Sequence, residues 1–172
     1  PTMFEGRLPP GVNSSSIRVT SGYGILPRLV ADSVEIYPRR IPADQALERI
    51  SRFHAPYHAA LGQRLAEMRH AHGHALLLDC HSMPSTSSAG TARLADVVLG
   101  DRHGTSCDPA IVACDETCFT ALGFTVARNQ PYAGGYITSH YGRPATGLHA
   151  LQIEINRALY MNEKTLARTG GF

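Results

Sequence analysis

No stretch of this sequence approaches the ~20 consecutive apolar residues of a membrane-spanning helix, and its first residues lack the basic and apolar regions of a secretory signal. The expectation is a soluble, cytoplasmic protein with no membrane partner. An excess of charge is missing too. Sixteen basic residues against fourteen acidic ones leave a formal net charge of +2, and the basic residues are spread along the chain. Nucleic acid is therefore not an expected partner. Cysteine is scarce. Cys80, Cys107, Cys114 and Cys118 are too few and too irregularly spaced for a disulfide framework, so they read as reduced thiols. Cys114 and Cys118 stand four apart, where one helix face could bring both to a metal, but no second Cys or His pair stands at finger-like spacing. No internal repeat, low-complexity tract or linker divides the 172 residues, which are expected to form one folding unit.

What is present is an ordinary globular balance, 43% apolar and 17% charged residues, enough for a real core. The chain opens at Pro1, without an initiator Met, in PTMFEGRLPPGVNSSSIRV, which offers no capped helix or clear strand, so its start need not be the natural one. From Pro42 to His72 apolar residues recur at helical spacing, with Pro56 expected to break or kink the run, giving two consecutive helices that end at Gly73. HALLLDCHS is a short apolar run suited to a buried strand, and ADVVLGD and GFTVARN are similar runs separated by a helix from about Pro109 to Leu122. This strand, helix, strand spacing predicts an α/β fold with a largely parallel sheet. Residues 129–147, rich in Gly, Pro and Tyr, suit a long ordered loop of the kind that often carries function. In HALQIEINRALY, Leu151, Ile153 and Ile155 alternate with Gln152, Glu154 and Asn156, a strand with one apolar and one polar face. A last helix is expected from Met161 to Arg168, before Gly170 and Gly171.

Ligands of open α/β sheets collect beyond the carboxyl ends of the strands, which singles out the polar tail of LLLDCHS. His81 there either serves chemistry or hydrogen-bonds a loop, and Asp79 either accepts its imidazole N–H or caps the turn. Glu154 sits between two isoleucines, where a carboxylate costs several kcal/mol unless it is paired or in a wet cleft. It is a candidate general base. The alternatives are a solvent-facing position or an ion pair with Arg157 or Arg143. A carboxylate and a strand-end His in one cleft suit metal-assisted hydrolysis. In GDRHGTS, Arg102 beside His103 offers a planar fork for a substrate carboxylate or pairs with Asp101 or Asp96 in a structural turn, and Arg143 is a second candidate. Ser82 lacks a nucleophile elbow and Cys80 any thiol-hydrolase signature, so both read as structural. His70, His72 and His74 read as solvating a helix end.

The strings LLLDCHSMPS, DVVLGDRHGTSC, NQPYAGGYITSHYGRP and HALQIEINRALYM together resemble the N-formylglutamate amidohydrolases, a bacterial family of metal-dependent hydrolases. SGYGILPRLVADSVEIYPRRIP and the FHAPYHAAL helix extend the resemblance over nearly the whole chain. It implies a mixed, largely parallel sheet between helical layers, a phosphorylase/hydrolase-like fold similar to zinc carboxypeptidases and aspartoacylases. It also implies hydrolysis of N-formyl-L-glutamate to formate and glutamate at zinc or another divalent metal, in amino-acid catabolism such as histidine degradation. By the resemblance His81 matches a metal ligand and Glu154 the general base. Arg102, His103 and Arg143 lie in family motifs and are inferred to contact the substrate, as does Tyr136.

The sequence departs from the family pattern in two ways. The early histidine motif and acidic residues expected to complete the metal site precede the region where this chain begins, and a catalytic zinc normally takes three protein ligands plus water. Ser139 stands where a basic residue is expected, which bears on recognition of an acidic substrate. Two other readings compete: a remnant that only binds a small molecule or serves a structural role, and an amidohydrolase for another N-acyl amino acid.

Overall fold

The computed structural model describes residues 3–7, 9–10, 12, 16–30, 34–86 and 93–171. They fall into two compact units, residues 1–61 and 62–172, divided within one long helix. Among the described residues no helix is long and apolar enough to cross a membrane.

In the first unit two short strands, β1 (Phe4–Glu5) and β2 (Ile41–Pro42), pair in parallel. β1 and the helical turn α1 (Ile17–Thr20) fall in the segment where the sequence suggested neither strand nor helix. β2 runs directly into α2 (Ala43–Arg49), which buries Ala43 and Ala46. A π-helical turn, Ile50–His54, joins α2 to α3 (Ala55–His72). The irregularity expected at Pro56 is thus taken up in the turn before it. Proline has no N–H to give to a carbonyl four residues back, and the widened turn relieves the helix of that bond. α3 ends where expected, at Gly73, whose N–H bonds Arg69 O at 2.8 Å.

The second unit holds a four-stranded sheet of β3 (Ala75–Met83), β4 (Val97–Gly100), β5 (Val126–Arg128) and β6 (Leu148–Asn156), in the order β3-β6-β4-β5. β3 and β6 are parallel, as are β4 and β5, while β4 and β6 are antiparallel. The fold is α/β with a mixed, largely parallel sheet. Leu151 and Ile153 of β6, Val97 and Leu99 of β4, Cys107 and Val112 form the buried core, and Ile111, Phe119 and Phe124 pack against it.

α4 (Pro109–Ala121) shows how local sequence builds this core. Asp108 caps it by accepting from Ala110 N at 2.8 Å, and Pro109 occupies the first turn, where its missing N–H costs nothing. At the other end Gly123 turns left-handed at φ +88, Phe124 N bonds Phe119 O and Gly123 N bonds Thr120 O. That is the Schellman pattern, and its usual hydrophobic contact is the Phe119–Phe124 ring pair, 6.4 Å between centroids.

Three expectations are corrected. HALLLDCHS forms β3, but as an outer strand, with Leu76 37% and Leu78 44% exposed. Among the described residues only β6 flanks it, so its apolar run does not signify burial on both faces. Residues 129–147 are not one loop: they contain α5 (Tyr136–Tyr141) and a 3-10 turn, Pro144–Thr146. Residues 161–168 are not a helix. Met161 and Arg168 form an antiparallel bridge, the Asn162 side chain accepts from Lys164 N and Thr165 N in a single turn, and Leu166 is left-handed at φ 59, which stops a helix there.

Asp96, just before β4, binds the segment ahead of β5: its carboxylate accepts from Thr125 N at 2.9 Å and Thr125 Oγ1 at 2.7 Å. The Thr125 N–H, the Thr125 hydroxyl and then Arg93 hold its carboxyl below the usual range, against the opposing effect of burial. Asp96→Ala, which strips both donors of their acceptor, is expected to cost about 1–3 kcal/mol in urea unfolding. With its folded pKa depressed, Asp96 contributes stability above its ordinary value that is lost as pH falls through the folded one, so the wild-type advantage should shrink only at strongly acid pH. The thiols give a second test. Cys107 is buried and its pKa is pushed up to about 11, chiefly by burial, whereas Cys80, Cys114 and Cys118 are exposed. Near pH 8 a thiol reagent should label those three in the folded protein and reach Cys107 only after denaturation.

Candidate functional site

β6 is central because both of its edges are paired. In the β3–β6 ladder His81 lies beside Glu154 and Asp79 beside Gln152, and β4 places Val98 beside Glu154 on the other flank. Ladder partners face the same side and neighbouring strands are about 4.8 Å apart. Asp79, His81, Gln152 and Glu154 therefore make one polar patch on the face opposite Leu151 and Ile153. The alternation seen in HALQIEINRALY produces that division, but its polar side is not solvent-facing: Gln152 and Glu154 are 5% and 6% exposed.

Within the patch His81 Nε2 lies 3.0 Å from Asp79 Oδ1, the first of the two roles weighed for Asp79. Glu154 Oε1 accepts from Gln152 Nε2 at 2.8 Å, and Gln152 Oε1 accepts from Gly135 N at 2.8 Å. No Arg stands within ion-pair distance of Glu154 among the described residues. Burial raises the Glu154 pKa above the ordinary glutamate range. The His81 charge and the Gln152 hydrogen bond pull it down, the Asp79 charge raises it further, and the Arg157 charge lowers it. The Tyr132 phenol is pushed up by burial and then by Glu154, with Arg157 opposing. Arg157 itself is held by Ser82, whose Oγ and carbonyl oxygen accept from its guanidinium at 3.3 Å. Gln152 and Tyr132 lie within the strings HALQIEINRALYM and NQPYAGGYITSHYGRP but were not singled out there, although Gln152's place two residues before Glu154 puts it on the same strand face.

The other sequence-predicted residues lie around the glycine-containing loop 132–135. This loop crosses so close above Gly100 that a Cβ there would stand 2.8 Å from Ala133 C and Gly134 N, which only glycine permits. Arg102 N bonds Ala133 O at 2.7 Å. Arg102 and His103 are both left-handed, at φ 55 and 56, a conformation costing about 1–2 kcal/mol for each such residue. Asn129 holds the turn, its Oδ1 accepting from Asp101 N and His103 N while its Nδ2 donates to Asp101 Oδ1 at 2.7 Å. Asp101 and Asp96 are thus engaged elsewhere, and among the described residues the Arg102 guanidinium has no ion pair or hydrogen bond. Arg143 differs. Its Nη1 donates to Ser139 O and Gly142 O at the end of α5. Tyr136 opens α5 and stacks on His140, 5.0 Å between ring centroids. β4 runs antiparallel to β6, so the carboxyl ends of β3 and β4 face opposite ends of the sheet. The open apolar cleft of about 570 Å³ lined by Ile25, Phe53 and Tyr57 belongs to the first unit and contains none of these residues.

The fit to a metal is incomplete. His81 offers one imidazole with Asp79 beside it, but among the described residues no three His, Cys, Asp or Glu side chains converge to hold a metal ion. A catalytic zinc takes three protein ligands plus water, so the described residues do not make a zinc site by themselves.

The mixed sheet and its buried carboxylate beside a strand-end histidine place the chain among α/β proteins with a polar site on one sheet face. The model of the N-formylglutamate amidohydrolase family matches residues 7–161, and the chain belongs to that family. It is 34% identical to an N-formylglutamate deformylase of Pseudomonas aeruginosa over 84% of this chain and 56% of that protein. It is 40% identical to one of Pseudomonas putida over 68% of this chain and 43% of that protein. The crystal structure of an N-formylglutamate amidohydrolase from Ralstonia eutropha superposes with a TM-score of 0.89 at 37% identity, covering 98% of this chain and 62% of that one. The chain thus spans about half the length of the curated relatives it matches.

The raised Glu154 pKa has a consequence for stability. A carboxyl whose folded pKa lies above its unfolded one favours folding at low pH, and that contribution is lost as pH rises through the folded value. Glu154→Gln should therefore be more stable than wild type at pH 7–8 in urea or thermal unfolding, with the gap closing toward about pH 4.3. Equal stability at pH 8 would contradict the burial argument.

Proposed function

We propose that the chain carries the base of an amide hydrolase that cleaves N-formyl-L-glutamate to formate and L-glutamate, as the names of its relatives suggest. The observation that carries the reading is Glu154: buried, without an Arg or Lys at ion-pair distance among the described residues, raised in pKa and beside His81 in the ladder. A base works best when its pKa lies near the working pH, and burial moves Glu154 in that direction. Its carboxylate takes a proton from the attacking water as the new C–O bond forms at the formyl carbon. It then returns the proton to the leaving nitrogen as the C–N bond breaks. The Arg102 guanidinium, free among the described residues and next to His103 and the loop, is the better candidate for a substrate carboxylate. Arg143 is occupied at the end of α5, and Tyr136 is engaged by His140, stacked on its ring with the hydroxyl 3.2 Å from Nδ1. Zinc or another divalent metal at His81 would need ligands beyond those described here, and no step above passes through it. We also place the protein in the cytoplasm and in amino-acid catabolism such as histidine degradation.

The incomplete donor set favours one competing reading, a remnant that binds a small molecule without turnover. Formate release from N-formyl-L-glutamate, with zinc added, separates the two. The hydrolase reading expects release by wild type and a loss of about 10²–10⁴-fold in Glu154→Gln, the usual contribution of a general base. A folded wild-type chain that releases no formate, or a Glu154→Gln variant as active as wild type, would overturn it. N-acetyl and other N-acyl amino acids in the same assay define the acyl specificity.

A further inference from the structure

A buried carboxylate that must take and return a proton needs one oxygen held and the other free. Gln152 is placed to do this. Its side chain is almost wholly buried and makes two hydrogen bonds of 2.8 Å, from Nε2 to Glu154 Oε1 and to Oε1 from Gly135 N. The second bond fixes the orientation of the amide. Gly135 N–H can only donate, so the side-chain oxygen of Gln152 must face it, and its NH₂ must face Glu154. An N–H pointing at Glu154 Oε1 occupies one lone pair of that oxygen and makes it the less basic of the two. A proton arriving on Glu154 therefore favours Oε2.

We propose that Gln152 is a positioning residue that holds the Glu154 carboxylate, selects Oε2 as its proton-accepting atom and ties it to the 132–135 loop. The loop end of this link is bonded in turn to the candidate substrate-binding turn, through Arg102 N and Ala133 O. Gln152 thus sets the distance between the base and the segment beside which the substrate would lie. The inference rests on the reading of Glu154 as a base, but the tether itself can be observed without turnover.

Two variants separate the halves of the bridge. Gln152→Met keeps the length of the side chain and removes both bonds. Gln152→Glu keeps an acceptor for Gly135 N–H but puts a carboxylate against Glu154. Amide hydrogen exchange at Gly135 should be slow in wild type and in Gln152→Glu and at least about tenfold faster in Gln152→Met, where the N–H is released. With N-formyl-L-glutamate, both variants should lose kcat by up to about 10²-fold, the cost of a misplaced catalytic group, with KM changed little. A packing role alone would not give equal kcat losses in two variants that differ in Gly135 protection. Unchanged Gly135 exchange in Gln152→Met overturns the tether whether or not the enzyme turns over, and wild-type kcat in both variants overturns the positioning role. A wild-type chain that makes no formate while Gly135 exchange responds as expected defeats the hydrolase reading, and with it the positioning role, and leaves only the tether.

Discussion

A carboxylate in the middle of a central strand, 6% exposed, has to be solvated by the protein because water cannot reach most of it. The sheet offers Glu154 a hydrogen bond from a neutral amide rather than a guanidinium. That choice shapes the rest of the site. A close Arg would stabilise the ionised form and pull the pKa down, leaving a poor proton acceptor at neutral pH. Gln152 satisfies one oxygen while the cost of burial still dominates, so the carboxyl titrates high. The largest charge effect opposing burial comes from His81, which Asp79 holds, and the smaller one comes from Arg157, whose side chain is anchored on Ser82.

β6 can bear this cost because it is paired along both edges and its other face is the core. Leu151 and Ile153 pack with Val97, Leu99 and Val112, so the strand that carries the polar pair is also among the best-anchored in the unit. Asn156 fixes its far end, with Oδ1 accepting from Ala158 N and the backbone N–H bonding Asp96 O. A one-residue slip of β6 would turn Glu154 into the core and Ile153 out of it. Register is therefore set by the same alternation that defines the site.

Much of this could be read from the residues. α4 was legible as the helix between two short apolar runs, with ends that the structure shows to be fixed locally by Asp108, Pro109 and Gly123, and β6 because alternation reports two faces whatever lies around them. The direction of β4 was not legible, since a four-residue apolar run looks the same parallel or antiparallel and only long-range pairing decides it. The outer position of β3 was hidden for the same reason. At 161–168 helical composition lost to a single turn that ends at the left-handed Leu166, with Met161 and Arg168 bridged across it. His81 was singled out by its place at the carboxyl end of a strand and Glu154 by what a mid-strand carboxylate costs. Gln152 escaped that question because a neutral amide on a polar face seems to cost nothing, until burial leaves it two bonds to make. Arg143 illustrates the reverse: a guanidinium in a family motif turns out to be engaged by α5 carbonyls.

The strained turn at Arg102 and His103 connects with this site through the loop it grips. Two consecutive left-handed non-glycine residues persist only where surrounding bonds over-determine them, and here Asn129, the buried Asp101 carboxylate and the Ala133 carbonyl supply those bonds. Relaxing the turn would pull on Ala133, and two residues later lies the Gly135 N–H that orients Gln152. The strain at one end and the buried carboxylate at the other are therefore features of one bonded path. In such an arrangement the backbone of Arg102 and the Gln152 amide that bonds Glu154 are joined by a single short stretch of backbone, residues 132–135.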